Sequence, residues 1–291
     1  MLVIGRGFSI EMEIETEMSY GSDYHYLPVT SLESGVGQEI MPDLFGLTVQ
    51  IVNVLFVGSP EDQHWMLIDA GMPGSASHII QAAEQRFGPN CSPRAIVLTH
   101  GHFDHVGSII ELIAHWDVPV YAHPLEFPFL TGKQAYLPAD PSVGGGLVSR
   151  MSPWFPNEPI NLGDKLRRLP ADRSIPDLPQ WRWIHTKGHT PGHVSLFHSG
   201  ARALIAGDAF VTVKQESIYK VFMQEMEISG PPKYFTTDWP SARDSIMQLE
   251  ALKPLIAVTG HGKPMEGELL ATSLQRLITD FDEIALPHEG K

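Results

Sequence analysis

The sequence predicts an α/β fold in which helices cover the faces of β-sheet. Three observations carry this reading. Apolar strand-like segments alternate with segments of helical spacing along most of the chain. A plan of strand, turn, strand and then an aspartate at or near a glycine occurs twice, ending at Asp69 and at Asp208. No linker or shift in composition divides the 291 residues. One domain over 1–291 is therefore expected, built from two related halves, with a loop-rich insertion over about 124–179.

Each element has its own signal. Phe8, Ile10, Met12 and Ile14 alternate with Ser9, Glu11, Glu13 and Glu15, the period of a strand with one charged face. Leu47 to Val57 is a long β-branched run, broken by the turn residues Gly58-Ser59-Pro60-Glu61-Asp62. Trp65 to Ile68 reads as its partner strand, ending at Asp69-Ala70-Gly71. Ser77 to Phe87 has helical spacing and stops at Gly88-Pro89. Ala95 to Leu98 is wholly apolar, as in a strand buried on both faces. Helical spacing resumes from Asp104 through Ile113, and Val118 to Tyr121 is the next strand.

From Pro124 to Pro179 proline, glycine and aromatics dominate, including Gly144-Gly145-Gly146, and the region reads as loops with some helix walling a site. Strands return at Trp181 to His185, Val194 to Phe197 and Ala203 to Ile205, the last two a hairpin around Ser199-Gly200. A helix spans Ser241 to Leu252, between Pro240 and Pro254. Leu255 to Thr259 is a buried strand, and Glu266 to Ile284 a final amphipathic helix.

Bulk properties narrow the function. With 43% hydrophobic and 19% charged residues the chain reads as an ordinary globular protein. It has no apolar run of the roughly 18 residues a membrane-spanning helix needs, and its start lacks the pattern of a signal peptide. A single cysteine, Cys91, excludes an intramolecular disulfide and fits a reducing compartment, so a cytoplasmic location is expected. A net charge of -14 argues against nucleic acid as partner, and the Lys165, Arg167, Arg168 cluster reads as a solvated edge. The expected partner is a small-molecule substrate, with no membrane; a homo-oligomer is left open.

Histidine carries the chemistry. Fourteen occur, and His100-Gly101-His102-Phe103-Asp104-His105 follows directly on the Ala95 to Leu98 strand. Residues two apart in extended chain point the same way, so His100 and His102 can converge on one point. The turn into the next helix directs Asp104 and His105 to a second point nearby. Imidazole with carboxylate suits zinc, iron or manganese, whereas a structural zinc site would favour cysteine. Three further candidate ligands sit at strand ends: His189 in Lys187-Gly188-His189-Thr190-Pro191-Gly192-His193, Asp208 after Gly207, and His261 in Gly260-His261-Gly262. Together they make seven candidate ligands from four loops, the makings of a binuclear site.

This constellation resembles the metallo-β-lactamase superfamily, in the expected order from about Val49 to His261. The resemblance implies a four-layer αββα sandwich. It assigns His100, His102 and His189 to one metal, and Asp104, His105 and His261 to the other, with Asp208 bridging. Asp69, in Leu67-Ile68-Asp69-Ala70-Gly71, matches the family's first motif and would orient ligands. His189 rather than His193 is then the ligand of the His-Thr-Pro-Gly-His motif. The implied cofactors are two divalent ions, zinc first, with iron or manganese as alternatives. The implied reaction is attack of a metal-bound hydroxide on an ester-type carbonyl, with Asp104 moving the proton. The pattern is nearest the glyoxalase II and lactonase branches, with two departures. Asp208-Ala209-Phe210-Val211 lacks the tyrosine of the lactonases, and the C-terminus around Gln275-Arg276 lacks the basic patch of glyoxalase II. Gly230 to Thr236 (Gly-Pro-Pro-Lys-Tyr-Phe-Thr) is shared with a group of uncharacterised bacterial hydrolases. The rival readings are a one-iron persulfide dioxygenase and a phosphodiesterase.

Overall fold

The alternating apolar pattern resolves into two β-sheets in a computed structural model, which describes residues 17–61, 64–143, 150–215 and 217–287. The strand expected over 8–15 and the Gly144 to Gly146 run lie outside those residues. The first sheet runs in chain order: β1 (Gly37–Met41), β2 (Leu44–Val49), β3 (Val52–Val57), β4 (Met66–Ile68), β5 (Ile96–Val97), β6 (Val120–Ala122) and β7 (Leu166–Arg168). Its pairs are antiparallel as far as β4 and parallel from β4 to β7. The second contains β8 (Trp181–His185), β9 (Val194–His198), β10 (Ala203–Gly207), β11 (Ile256–Thr259) and β12 (Met265–Glu266). Its spatial order is β12-β11-β10-β9-β8, with β10 and β11 parallel.

The period-two alternation of strand side chains sorts the core into layers. Val52, Val54 and Phe56 of β3 face outward onto α1 (Ala76–Phe87) and α3 (Ile109–Trp116), packing with Ile79, Ala83 and Leu112. The intervening Leu55 and Val57 face the other sheet, where they join Ile68, Val97, Trp183, Leu196 and Ile205 in a core between the sheets. The far face of the second sheet (Phe197, Leu204, Ala257) is covered by Ile246 and Leu249 of the Trp239–Ala251 helix and by Leu270, Leu274 and Leu277 of the Gly267–Thr279 helix. Three apolar clusters thus separate four layers, and the αββα sandwich follows. No helix among the described residues is long and apolar enough to cross a membrane.

Four expectations need correction. The Leu47 to Val57 run is not one strand but the hairpin of β2 and β3, with Val49 opposite Val52. Its turn residue is Gln50 at φ 56, where glycine or asparagine would have signalled a hairpin. Side-chain bonds from Gln50 to the carbonyls of Leu27 and Val29 hold that turn. The helix expected from Asp104 through Ile113 is split into α2 (Phe103–Val106) and α3, because the chain between them is tied to the loop after β4. There Gly107 N donates to Gly71 O at 2.8 Å and Ser108 Oγ to Met72 O at 2.8 Å. The final helix breaks at Asp280 into Gly267–Thr279 and Phe281–Ile284. The 124–179 region also supplies an unexpected strand, β7, whose exposed Arg167 and Arg168 mark a charged sheet edge.

Candidate metal centre

Parallel strands put their C-terminal ends together, and the site residues stand on those ends. Asp69 follows β4, His100 to His105 follow β5, Asp208 follows β10 and His261 follows β11; His189 lies in the turn between β8 and β9. The chain thereby brings all seven predicted ligands to one end of the sandwich. Ligand atoms of His100, His102 and His189 lie within 4.8 Å of one another, as do those of Asp104, His105 and His261, and those of His100, His105 and Asp208. Asp208 stands between the two trios: Oδ1 is 3.6 Å from His105 Nε2, and Oδ2 is 3.6 Å from His189 Nε2 and 3.4 Å from His261 Nε2. Gly260 permits this closeness, since a Cβ there would fall 2.1 Å from Asp208 Oδ1.

Partners behind the rings fix the tautomers. Thr99 Oγ1 donates its one hydrogen to Asp69 Oδ2, so it must accept from Nδ1 of His100 at 3.0 Å. Thr236 Oγ1 likewise donates to Pro232 O and accepts from Nδ1 of His189 at 2.9 Å. The Ile51 carbonyl takes His261 Nδ1, and Asp69 Oδ2 takes His105 Nδ1. Those four histidines therefore turn Nε2 inward. His102 is reversed, with Nδ1 3.0 Å from His189 Nε2 and its ring against Phe235 and Tyr136.

Burial and charge divide the trios. Even Asp104, the most exposed of the seven, shows only 6% of its surface. Burial and neighbouring imidazoles hold His100 and His189 well below the usual histidine range, and burial takes His102 to about 4. Burial also opposes charge on His261 and His105, but the carboxylates win there. Asp208 and Asp104 raise His261 to about 10, and Asp208, Asp69 and Asp104 lift His105 well above its ordinary value. Both carboxylates stay ionised against burial through those same histidines. In the ion-free protein, protons on His105 and His261 balance the aspartates.

Whether these residues fit a metal is tested by their unmet valences. His100 Nε2, His105 Nε2, Asp104 Oδ1 and Asp208 Oδ1 are buried without a hydrogen-bond partner. Buried polar atoms are normally paired, and here a neutral nitrogen on His100, two anionic oxygens and a His105 nitrogen whose proton a cation can displace form a donor set suited to divalent cations.

The remaining histidines serve otherwise. His193 accepts the backbone N–H of Asp208 at 2.9 Å, and burial pushes it down to about 3. His123 stacks on His185 at 4.2 Å. The sequence reading missed Thr99, Glu126 and Tyr136. Thr236 fell within the Gly230 to Thr236 segment, which the structure places against His189 and His102. Glu126 is fully buried, and its carboxylate accepts from Gly101 N, Thr190 Oγ1, Gly192 N and Tyr136 OH.

Two clefts flank Phe103. One, beside His102, is lined by Tyr20, Tyr24, Asp23, Tyr136 and Glu158; the other, beside Asp104, by Leu27, Val29, Met72, Phe155 and Tyr234. Tyr136, Phe155 and Glu158 come from the 124–179 region, which does wall the site. Neither cleft has a lysine or arginine among its described lining residues.

The sequence pattern of the metallo-beta-lactamase superfamily matches residues 47–261, spanning all seven residues. The chain belongs to that superfamily. Within it, the chain is 49% identical over 260 residues to the probable metallo-hydrolase YflN of Bacillus subtilis (strain 168), covering 89% of this chain and 98% of that one. It is 28% identical over 151 residues to the hydroxyacylglutathione hydrolase GloC of Haemophilus influenzae, covering 51% of this chain and 62% of that one. Among solved structures, TTHA1623 in a di-iron-bound form superposes with a TM-score of 0.52 at 26% identity, covering 80% of this chain and 98% of that one.

Proposed function

We propose that this metal-dependent hydrolase holds two divalent cations, zinc in the first instance with iron or manganese as alternatives, and cleaves a neutral ester-type carbonyl such as a lactone or thioester. The observation that carries the reading is the pair of ligand trios meeting at Asp208, with four buried atoms left unpartnered between them. His100, His102 and His189 would hold one ion and Asp104, His105 and His261 the other, with Asp208 shared. Such ions supply Lewis acidity toward a carbonyl oxygen and lower the pKa of water from about 15.7 toward about 7.

The chain's own residues do the rest. Asp104 has Oδ2 3.3 Å from His261, and the carboxylate oxygen that it does not give to an ion can hold the proton taken from water and return it to the leaving group. Phe103, Phe155 and Tyr234 exclude water from the Asp104 cleft and present an apolar wall to the substrate. Among the described lining residues a phosphodiester or the carboxylates of a glutathione conjugate would meet no lysine or arginine in either cleft, and carboxylates in both: Asp23 and Glu158 in one, Asp104 in the other. Away from the ions, side-chain charge thus favours an uncharged substrate.

Metal analysis with a substrate panel tests this. About two ions per chain are expected, with turnover of lactones or neutral thioesters and loss of both metal and turnover in His102→Ala. One iron per chain with oxygen consumption would instead establish the persulfide dioxygenase reading, and preferential phosphodiester cleavage the nuclease-like one.

A further inference from the structure

Glu126 belongs to no motif, yet it is the most completely bonded carboxylate near the site. Its Oε2 accepts from Gly101 N at 3.0 Å and from Tyr136 OH; its Oε1 accepts from Gly192 N at 2.7 Å and from Thr190 Oγ1 at 2.9 Å. Gly101 lies between His100 and His102, and Thr190 follows His189 directly. One side chain therefore pins both loops that carry the first trio. The second trio is anchored elsewhere: His105 by Asp69 and His261 by the Ile51 carbonyl.

We propose that Glu126 is a positioning residue for the ion position framed by His100, His102 and His189, and not for the position framed by Asp104, His105 and His261. The inference rests on the two-ion reading above. Packing shows how tightly the clamp is built. A Cβ at Gly192 would lie 2.8 Å from Glu126 N and from Oε1, and one at Gly101 would lie 2.7 Å from Tyr136 OH. The glycines of both ligand loops are there because the carboxylate and its tyrosine need the space.

The clamp is built for an acceptor at both oxygens, and glutamine replaces it only in part. Each oxygen of Glu126 faces a backbone N–H, Gly101 on one side and Gly192 on the other, and a backbone N–H cannot turn into an acceptor. With the NH₂ of Glu126→Gln toward Gly192 and Thr190, both of those donors lose their acceptor; with it toward Gly101, that N–H keeps Tyr136 OH, which also accepts from it at 3.0 Å, while the hydroxyl loses its own acceptor. The isosteric variant should therefore loosen the clamp, and Glu126→Ala, which frees both loops at once, should loosen it more.

The test is zinc titration of the metal-free chain against a chromophoric chelator, with thermal unfolding of each metal-free variant as the folding control. Expected for Glu126→Gln is one site unchanged and one weakened about 10- to 100-fold, the range seen when groups behind metal ligands are removed. In parallel, ¹⁵N imidazole resonances of His102 and His189 in the metal-free protein should move while those of His105 and His261 stay. Should Glu126→Gln fail to fold, Tyr136→Phe, which removes one hydroxyl that donates to Glu126 and accepts from Gly101 N, is expected to weaken the same site and move the same two resonances. Wild-type affinity at both sites, equal weakening of both, or displacement of all four histidines would overturn the assignment. A wild-type chain binding fewer than two zincs would instead sink the two-ion reading, and the imidazole pattern would still decide the role of Glu126.

Discussion

The two trios are built from similar parts and end in opposite electrostatic states. His100, His102 and His189 have no carboxylate of their own; burial holds them neutral, with lone pairs turned inward by Thr99 and Thr236. Asp104, His105 and His261 include one, and the aspartates keep protons on both imidazoles. One half carries no net charge, and His102 need only withdraw its Nδ1–H from His189 Nε2 for a cation to enter. The other holds protons that substitute for the cation's charge and must give them up when it binds. The difference comes from Asp104, which belongs to the second trio, and from Asp69, which meets His105 directly but reaches His100 only through the Thr99 hydroxyl.

Breaking the residue both halves share should have the largest effect. Asp208 approaches His105, His189 and His261 within 3.6 Å. Asp208→Asn keeps its shape and removes its charge, so both trios should lose zinc and kcat/KM should fall on the order of a thousandfold. Metal content and turnover measured together check this; loss of only one ion would mean that Asp208 serves one half. Next in size is Asp69→Asn. Asp69 accepts from Thr99 N, Thr99 Oγ1 and His105 Nδ1, at 2.7, 2.7 and 2.8 Å. An amide cannot accept all three, and zinc affinity at the second trio should drop about 10- to 100-fold with the first less affected. Equal losses at both positions would erase the comparison.

The sequence made one side of this arrangement legible and hid the other. His100 to His105, Asp208 and His261 could be read because each stands at the end of an apolar strand, where spacing and glycines announce a directed turn. Asp69 was readable for the same reason; strands apolar on both faces, such as Ala95 to Leu98, pointed to sheets covered by helices, and the four layers came from the family resemblance. The supporting residues carry no such mark. Glu126 sits in a short turn, Pro124–Glu126, within a proline-rich stretch, and its partners are 10 to 66 residues away. Gln50 turns a hairpin without glycine or asparagine, so its run read as one strand. Local pattern reports what a segment does to its own backbone; contacts between distant loops leave no period to detect.

The proton-holding half also predicts a pH dependence. His261 stands at about 10 in the ion-free protein against 6.5 for an ordinary imidazole. A raised pKa contributes stability that is full below about 6.5 and lost as pH climbs through about 10. The metal-free chain should therefore become less stable across that window. Zinc affinity should rise over the same window, by up to about tenfold per pH unit for each proton displaced. Unfolding temperatures with zinc and with a chelator, taken from about pH 6 to about pH 9, should diverge as pH rises. A gap that closes would show that the second trio does not hold its protons.

The smallest expected effect sharpens the comparison from the neutral side. Thr236 reaches His189 Nδ1 at 2.9 Å and passes its own hydrogen to Pro232 O at 2.8 Å, so its hydroxyl fixes the tautomer of a ligand in the first trio without bearing charge. Thr236→Val keeps the branched shape and leaves the ring nitrogen without an acceptor, a loss of about 1–3 kcal/mol for a buried group. Because His189 is neutral, no charge is stranded, and the ring can still offer Nε2 once it re-orients. Zinc affinity at the first trio should weaken by about tenfold or less, with the second unchanged, and kcat should fall less than in Asp69→Asn. Titration of zinc into both variants side by side ranks them. A Thr236→Val effect as large as that of Asp69→Asn would mean that hydrogen-bond direction, and not charge, governs both halves alike.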